Sequence, residues 1–252
     1  MKRIAFCLSL ALMVSACSKD DENTQVQPRR LSGPTVSMGS GTANAWLDQD
    51  AQGNPTSLGF TLSKGALDQL PATLPATSFM LDLPPEAVQK TPYQHIMIDW
   101  NPQGHEPAGV YNVPHFDFHF YMVPMSQVMS IPPYAVNPAG FDNKPALVYL
   151  PAGYVKIPGG VPAMGAHWSD PTSPELNGKP FTETFIFGSY DGHVTFWEPM
   201  VALSYLQTNP TLDKEIKQPA QYEKSGNYPT RFSIQAKADG AYDVALNQFV
   251  KR

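Results

Sequence analysis

Cysteine is nearly absent: the chain of 252 residues has two, Cys7 and Cys17. Charge is scarce, at 15% of residues against about 25% in a typical soluble domain. There is no basic excess. The formal net charge is -5, which makes nucleic acid a poor partner. The N-terminal apolar run, Ile4 to Val14, has 11 residues, too few to span a bilayer as a helix. Three catalytic signatures are missing: the Gly-x-Ser-x-Gly elbow, the Walker loop and Gly-x-Gly-x-x-Gly. Gly33, Gly39, Gly41 and Gly53 lack the spacing of a phosphate loop. Proline, in contrast, is plentiful, with 26 residues, about twice the usual share of roughly 5%. Each interior proline costs a helix a hydrogen bond and clashes with the preceding turn, so bundles, coiled coils and helical solenoids are excluded.

Lys2 and Arg3 precede the apolar run, and Val14-Ser15-Ala16-Cys17 follows it. Positive flank, short apolar core and small residues together predict a signal peptide over 1–16. The four residues ending at Cys17 resemble a bacterial lipobox, which implies lipidation of Cys17 and anchoring at the outer membrane or cell surface. Cleavage removes Cys7, so the mature chain has no second cysteine for a disulfide, a metal thiolate or a thiol nucleophile. Residues 17–33 are polar and read as a flexible tether. Lys19-Asp20-Asp21 resembles the acidic export signal of Bacteroidetes surface lipoproteins.

From Pro34 to the end, 34–252, strand-like runs alternate with turn clusters, with no composition break. The pattern predicts a single all-β domain, a β-sandwich or barrel-like fold with a few short helices and long Pro/Gly-rich loops. Val36 to Leu47, Ser57 to Leu62, Ser78 to Leu83, Gln94 to Trp100 and His115 to Val123 are strand candidates. Asp191-Gly192 between Phe181–Tyr190 and His193–Glu198 is a hairpin signal, and Arg231–Lys237 with Ala241–Phe249 forms another. Lys64 to Leu70, Met125 to Ile131 and Met200 to Gln207 read as short helices.

The run His115-Phe116-Asp117-Phe118-His119-Phe120-Tyr121 concentrates the chemistry. As a strand it puts three phenylalanines on one face and His115, Asp117, His119 and Tyr121 on the other. Same-face neighbours are roughly 6–7 Å apart at Cα, close enough to share an ion, whereas His115 and His119 are roughly 13 Å apart and cannot. The expected pair is therefore Asp117–His119 or His115–Asp117, with the third residue behind it. Without cysteine, a site for zinc, iron or manganese must use histidine and carboxylate. The pool of candidates is His105, His115, Asp117, His119, His167 and Glu198. His95 and His193 read as structural or exposed. Met122, Met125, Met129, Met164 and Met200 offer thioethers suited to Cu(I), although core filling is their commoner use. Trp46, Trp100, Trp168, Trp197 and Tyr190 are core residues or, less favourably, a carbohydrate platform.

Trp100 to Pro107, Tyr111 to Tyr121, Met164 to Trp168 and Phe181 to Met200 resemble an uncharacterised family of bacterial secreted proteins and lipoproteins. The resemblance covers about residues 34–205 and implies no particular activity. A looser likeness is to cupins, where a His-x-His pair, a Glu and a later His hold a metal inside a β-barrel. Here Asp117-x-His119 stands in place of the pair, and the Glu and second His are not at the usual distances. The sequence thus leaves two functions open: a divalent-metal centre supporting metal-dependent chemistry, or a non-catalytic cell-surface module binding glycan or protein.

Overall fold

The computed structural model describes residues 27–252, so the expected signal peptide, Cys17 and most of the expected tether lie outside the described residues. Among the described residues, thirteen strands form two antiparallel sheets. The first sheet contains β1 (Arg29–Met38), β2 (Gly41–Gln49), β3 (Pro55–Leu62), β11 (Thr211–Glu215), β12 (Asn227–Ala236) and β13 (Tyr242–Lys251), in the order β1-β2-β3-β13-β12-β11. The second contains β4 (Thr77–Asp82), β5 (His95–Asn101), β6 (His115–Tyr121), β7 (Val155–Lys156), β8 (Ala166–Ser169), β9 (Glu183–Tyr190) and β10 (His193–Ala202), in the order β4-β5-β6-β10-β9-β8-β7. Short helices decorate the loops: α1 (Pro85–Lys90), α2 (Met125–Met129), α3 (Pro138–Asp142) and α4 (Leu203–Leu206). The fold is the all-β sandwich expected from the strand pattern.

The core lies between the sheets. Phe116, Phe118 and Phe120 are fully buried and share one cluster with Leu58, Phe60 and Leu62 of β3 and Val244 and Leu246 of β13. Phe60 packs its ring 4.9 Å from that of Phe118. Trp197 of β10 joins the same layer, edge-on to Tyr93 and Phe187. Alternation on β6 is thus strict, and it determines which face carries the histidines. Trp46, Trp100, Trp168 and Trp197 are all buried, which removes the carbohydrate-platform option.

Four expectations need correction. The tether does not run to Gly33, because β1 starts at Arg29. The polar composition of this stretch hid how it is held. The Arg30 guanidinium grips both carboxylate oxygens of Asp48 at 2.7 Å, reaches Asp243 at 3.1 Å and lies 3.5 Å over the Trp46 ring. Val36 to Leu47 is not one strand but the end of β1, a turn at Gly39-Ser40 and most of β2. Lys64 to Leu70 makes consecutive turns instead of a helix: Ala66 and Asp68 donate to Ser63 and Gly65, and Ser40 donates back to Gly65 and Asp68. Met200 to Ala202 continue β10, because the strand is paired on both sides there. Met200 lies opposite Asp117 and Thr184, and two ladders outweigh local helix preference. Only Leu203–Leu206 is helical.

Candidate metal centre

Every residue of β5 and β6 is buried, so both faces of these strands are covered. One face meets the opposite sheet. The other lies beneath the loops that follow β5 and β6, and it is lined by polar groups. Antiparallel register sets Asn101 opposite His115, Asp99 opposite Asp117, Met97 opposite His119 and His95 opposite Tyr121. On the far side of β6, β10 contributes Glu198, flanked by Trp197 opposite Phe120 and Met200 opposite Asp117. His167 enters from β8, where it pairs with Gly188 of β9. A Cβ at Gly188 would sit 2.0 Å from the Phe196 ring, so only glycine lets that ring lie in place. Phe196 then walls the site, 4.8 Å from His119 and 5.3 Å from His167.

The polar groups form two triads. In the first, Nε2 of His115 faces Oδ1 of Asp117 at 3.1 Å and Nε2 of His105 faces Oδ2 at 3.3 Å. Both rings are oriented from behind. Nδ1 of His115 donates to the Val113 carbonyl and Nδ1 of His105 to the Glu106 carbonyl, each at 2.7 Å. A carbonyl only accepts, so Nδ1 carries a proton in each ring and Nε2 is the atom turned to the carboxylate. Asn101 donates to Oδ2 of Asp117 at 2.8 Å. His105 comes from the β5–β6 loop. Its position depends on Gly104, whose φ is +67° and whose Cβ would collide with the Tyr111 carbonyl at 2.0 Å.

In the second triad, Nε2 of His119 lies 3.5 Å and Nε2 of His167 lies 3.7 Å from Oε2 of Glu198. Nδ1 of His119 faces Oδ2 of Asp99 at 3.0 Å, and Ser78 donates to the other Asp99 oxygen. Asp99–His119 has the form of the carboxylate–histidine arrangement that orients a metal ligand.

Most of these contacts are close but are not hydrogen bonds. Six buried atoms of the cluster have no partner in hydrogen-bond geometry: Nε2 of His115, Oδ1 of Asp117, both ring nitrogens of His119, Oδ2 of Asp99 and Oε2 of Glu198. Buried polar atoms without partners are rare and costly. Electrostatics show the same tension. Burial opposes a charge on His119, but Glu198 and Asp99 outweigh it and push its pKa up to about 9. Burial opposes His105 likewise, and Asp117 raises it to about 9. Burial, together with the His119 charge, lowers His167 to about 3. Burial lifts Glu198 well above the usual carboxylate range, while for Asp117 it is outweighed by His105 and His115, which hold the group well below that range.

All six candidates read from the sequence lie on this one face, but in two groups. His115–Asp117 is an adjacent pair, whereas Asp117 and His119 belong to different triads, so that expected alternative is set aside. The side-chain contacts decide this: Asp117 meets His115 and His105, whereas His119 meets Glu198 and Asp99. The centre is also not inside a barrel, as the likeness to cupins implied. It sits on the loop-covered face of one sheet, away from the core between the sheets. Asp99, Asn101 and Ser78 were missed. The signal for Asp99 and Asn101 was the alternation of β5 and its pairing with β6, and Ser78 follows from β4, where it lies opposite Asp99; both need the register. His95 is not exposed. It is buried and stacked 4.7 Å from Tyr121. The methionines mostly fill space: Met97, with Met80, Met125 and Met164 against it, packs around Tyr121 and Phe196.

The model of a family described as TTHB210-like, hypothetical protein TTHB210, matches residues 50–100. Of the groups at the centre, this span contains Asp99 and Ser78 and none of the six triad residues. No curated protein and no solved structure matches the chain.

Proposed function

We propose that the loop-covered face of the seven-stranded sheet binds divalent transition-metal ions, in a protein held outside the cytoplasm by a lipid on Cys17. The observation that carries the metal reading is the set of Nε2 atoms aimed at carboxylate oxygens without hydrogen-bond geometry. Two ligand atoms about 2.0–2.1 Å from a tetrahedral ion lie about 3.4 Å from each other. The separations of 3.1, 3.3, 3.5 and 3.7 Å straddle that value. Imidazole and carboxylate suit zinc, iron and manganese. Three protein ligands leave a position open, as in catalytic sites, and a Lewis-acidic ion there supports hydrolysis or oxygen chemistry.

Elemental analysis of the purified protein tests this directly. His119→Ala is expected to lose metal while keeping the β-type circular dichroism spectrum. His193→Ala, which removes an exposed ring paired only with Glu223, should retain full metal content. Wild-type protein free of stoichiometric metal after loading with Zn(II) would overturn the reading.

The anchor is supported by the positive flank, the short apolar core and the small residues before Cys17. Cys17→Ala is expected to move the protein from the membrane fraction to the soluble fraction. A variant still sedimenting with membranes would remove the lipid from the account.

A further inference from the structure

The ligand atoms fall into two sets. Those of His105, His115 and Asp117 lie within 4.8 Å of one another, and so do those of His119, His167 and Glu198. Strand geometry keeps the sets separate, because His115 and His119 are two same-face steps apart, about 13 Å at Cα. Asp117 and His119 are one step apart, about 6–7 Å, so the two positions are neighbours on one surface. We infer that this face holds two divalent transition-metal ions in unequal sites: a closed inner ion on His119, His167 and Glu198, and an exchangeable outer ion on His105, His115 and Asp117. The inference rests on the metal reading and goes beyond it in the number of ions and in their different access.

Charge favours two ions. Asp99, Asp117 and Glu198 are three carboxylates buried on one face. One dication leaves the face negative in a medium where uncompensated charge is expensive. Two dications leave one surplus positive charge, which suits an oxygen anion at the open positions. Access distinguishes the ions. The His119 and Glu198 side chains are 0% and 2% exposed, and both come from central strands paired on each side. The His105 side chain is 41% exposed and sits on a loop. Local opening of a loop needs far less free energy than opening the middle of a sheet, so the outer ion should exchange first. Each triad also has its own orienting partners. Backbone carbonyls hold His105 and His115, and Asp99 faces Nδ1 of His119 at 3.0 Å. Neither triad therefore depends on the other for its geometry.

The test is metal content and release. The purified protein is loaded with Zn(II), freed of excess metal and assayed for zinc per chain, then challenged with EDTA while zinc release is followed. Two zinc ions per chain are expected, released in two phases of equal amplitude whose rates differ at least ten-fold. His105→Ala should bind one ion and keep only the slow phase. His167→Ala should bind one ion and keep only the fast phase. Circular dichroism confirms folding of each, and His105→Gln and His167→Gln replace any variant that fails to fold. One ion per chain, lost in either variant, would overturn the two-ion inference and leave the metal reading standing. Two ions leaving at one rate would overturn the inequality. Absence of bound zinc in the wild type would overturn both the inference and the reading beneath it.

Discussion

Zinc-loaded protein, held at a thousand-fold excess of metal over its dissociation constant, is expected to be more stable than chelator-treated protein by about 4 kcal/mol for each ion bound. At this size, that corresponds to a rise in midpoint of roughly 8–16 °C per ion. The expectation comes from the six buried atoms that face one another without hydrogen bonds. Without a cation, the network balances itself only by dividing protons unevenly. His105 and His119 then carry charge, His167 stays neutral, and Glu198 is pressed to keep its proton. An ion satisfies the lone pairs together. Differential scanning calorimetry of chelator-treated and zinc-loaded protein checks this. Identical midpoints would mean that the network is stable on protons alone.

Phe118→Ala is expected to cost about 3–5 kcal/mol, the usual range for a large buried aromatic. Phe118 is fully buried, with the rings of Phe60 at 4.9 Å and Phe116 at 5.8 Å, so truncation leaves a cavity between the two sheets. Denaturant unfolding measures the loss, and a midpoint near that of the wild type would show that the site repacks. The substitution also separates the two faces of β6. Phe118 points away from the metal triads, so variant protein below its midpoint should still bind metal. Loss of metal with an intact fold would show that strain passes through the strand.

Much of the fold was legible because the signals were local. Three phenylalanines in strict alternation predict both the strand and its buried face. Asp191-Gly192 predicts the β9–β10 turn, where both residues take positive φ. Two of the failures have a common cause, since long-range partners decided them. Arg30 reads as tether until Asp48 and Asp243 are seen around it. Met200 to Ala202 read as helix until β6 and β9 flank them. The 3.6-residue signal at these positions was weaker than two ladders of backbone hydrogen bonds.

For the centre, the sequence by itself determined the chemistry available. Residues 27–252 contain no cysteine, so only histidine and carboxylate are on offer there as ligands, and alternation on β6 excluded His115 and His119 from a common ion. Tertiary structure alone decided how the six residues divide. His105 and Asp117 are 12 positions apart in the chain, and His167 and Glu198 are 31 apart. Loop closure brings the first pair together, and the β8–β9–β10 pairing brings the second. Asp99 emerged only with the β5–β6 register, which places it opposite Asp117 and so diagonally within reach of His119 Nδ1 at 3.0 Å. Residue type and strand period are properties of short stretches and survive in the sequence. Register, side-chain contacts and the approach of distant strands arise from packing the whole chain, and they determine which ligand atoms meet.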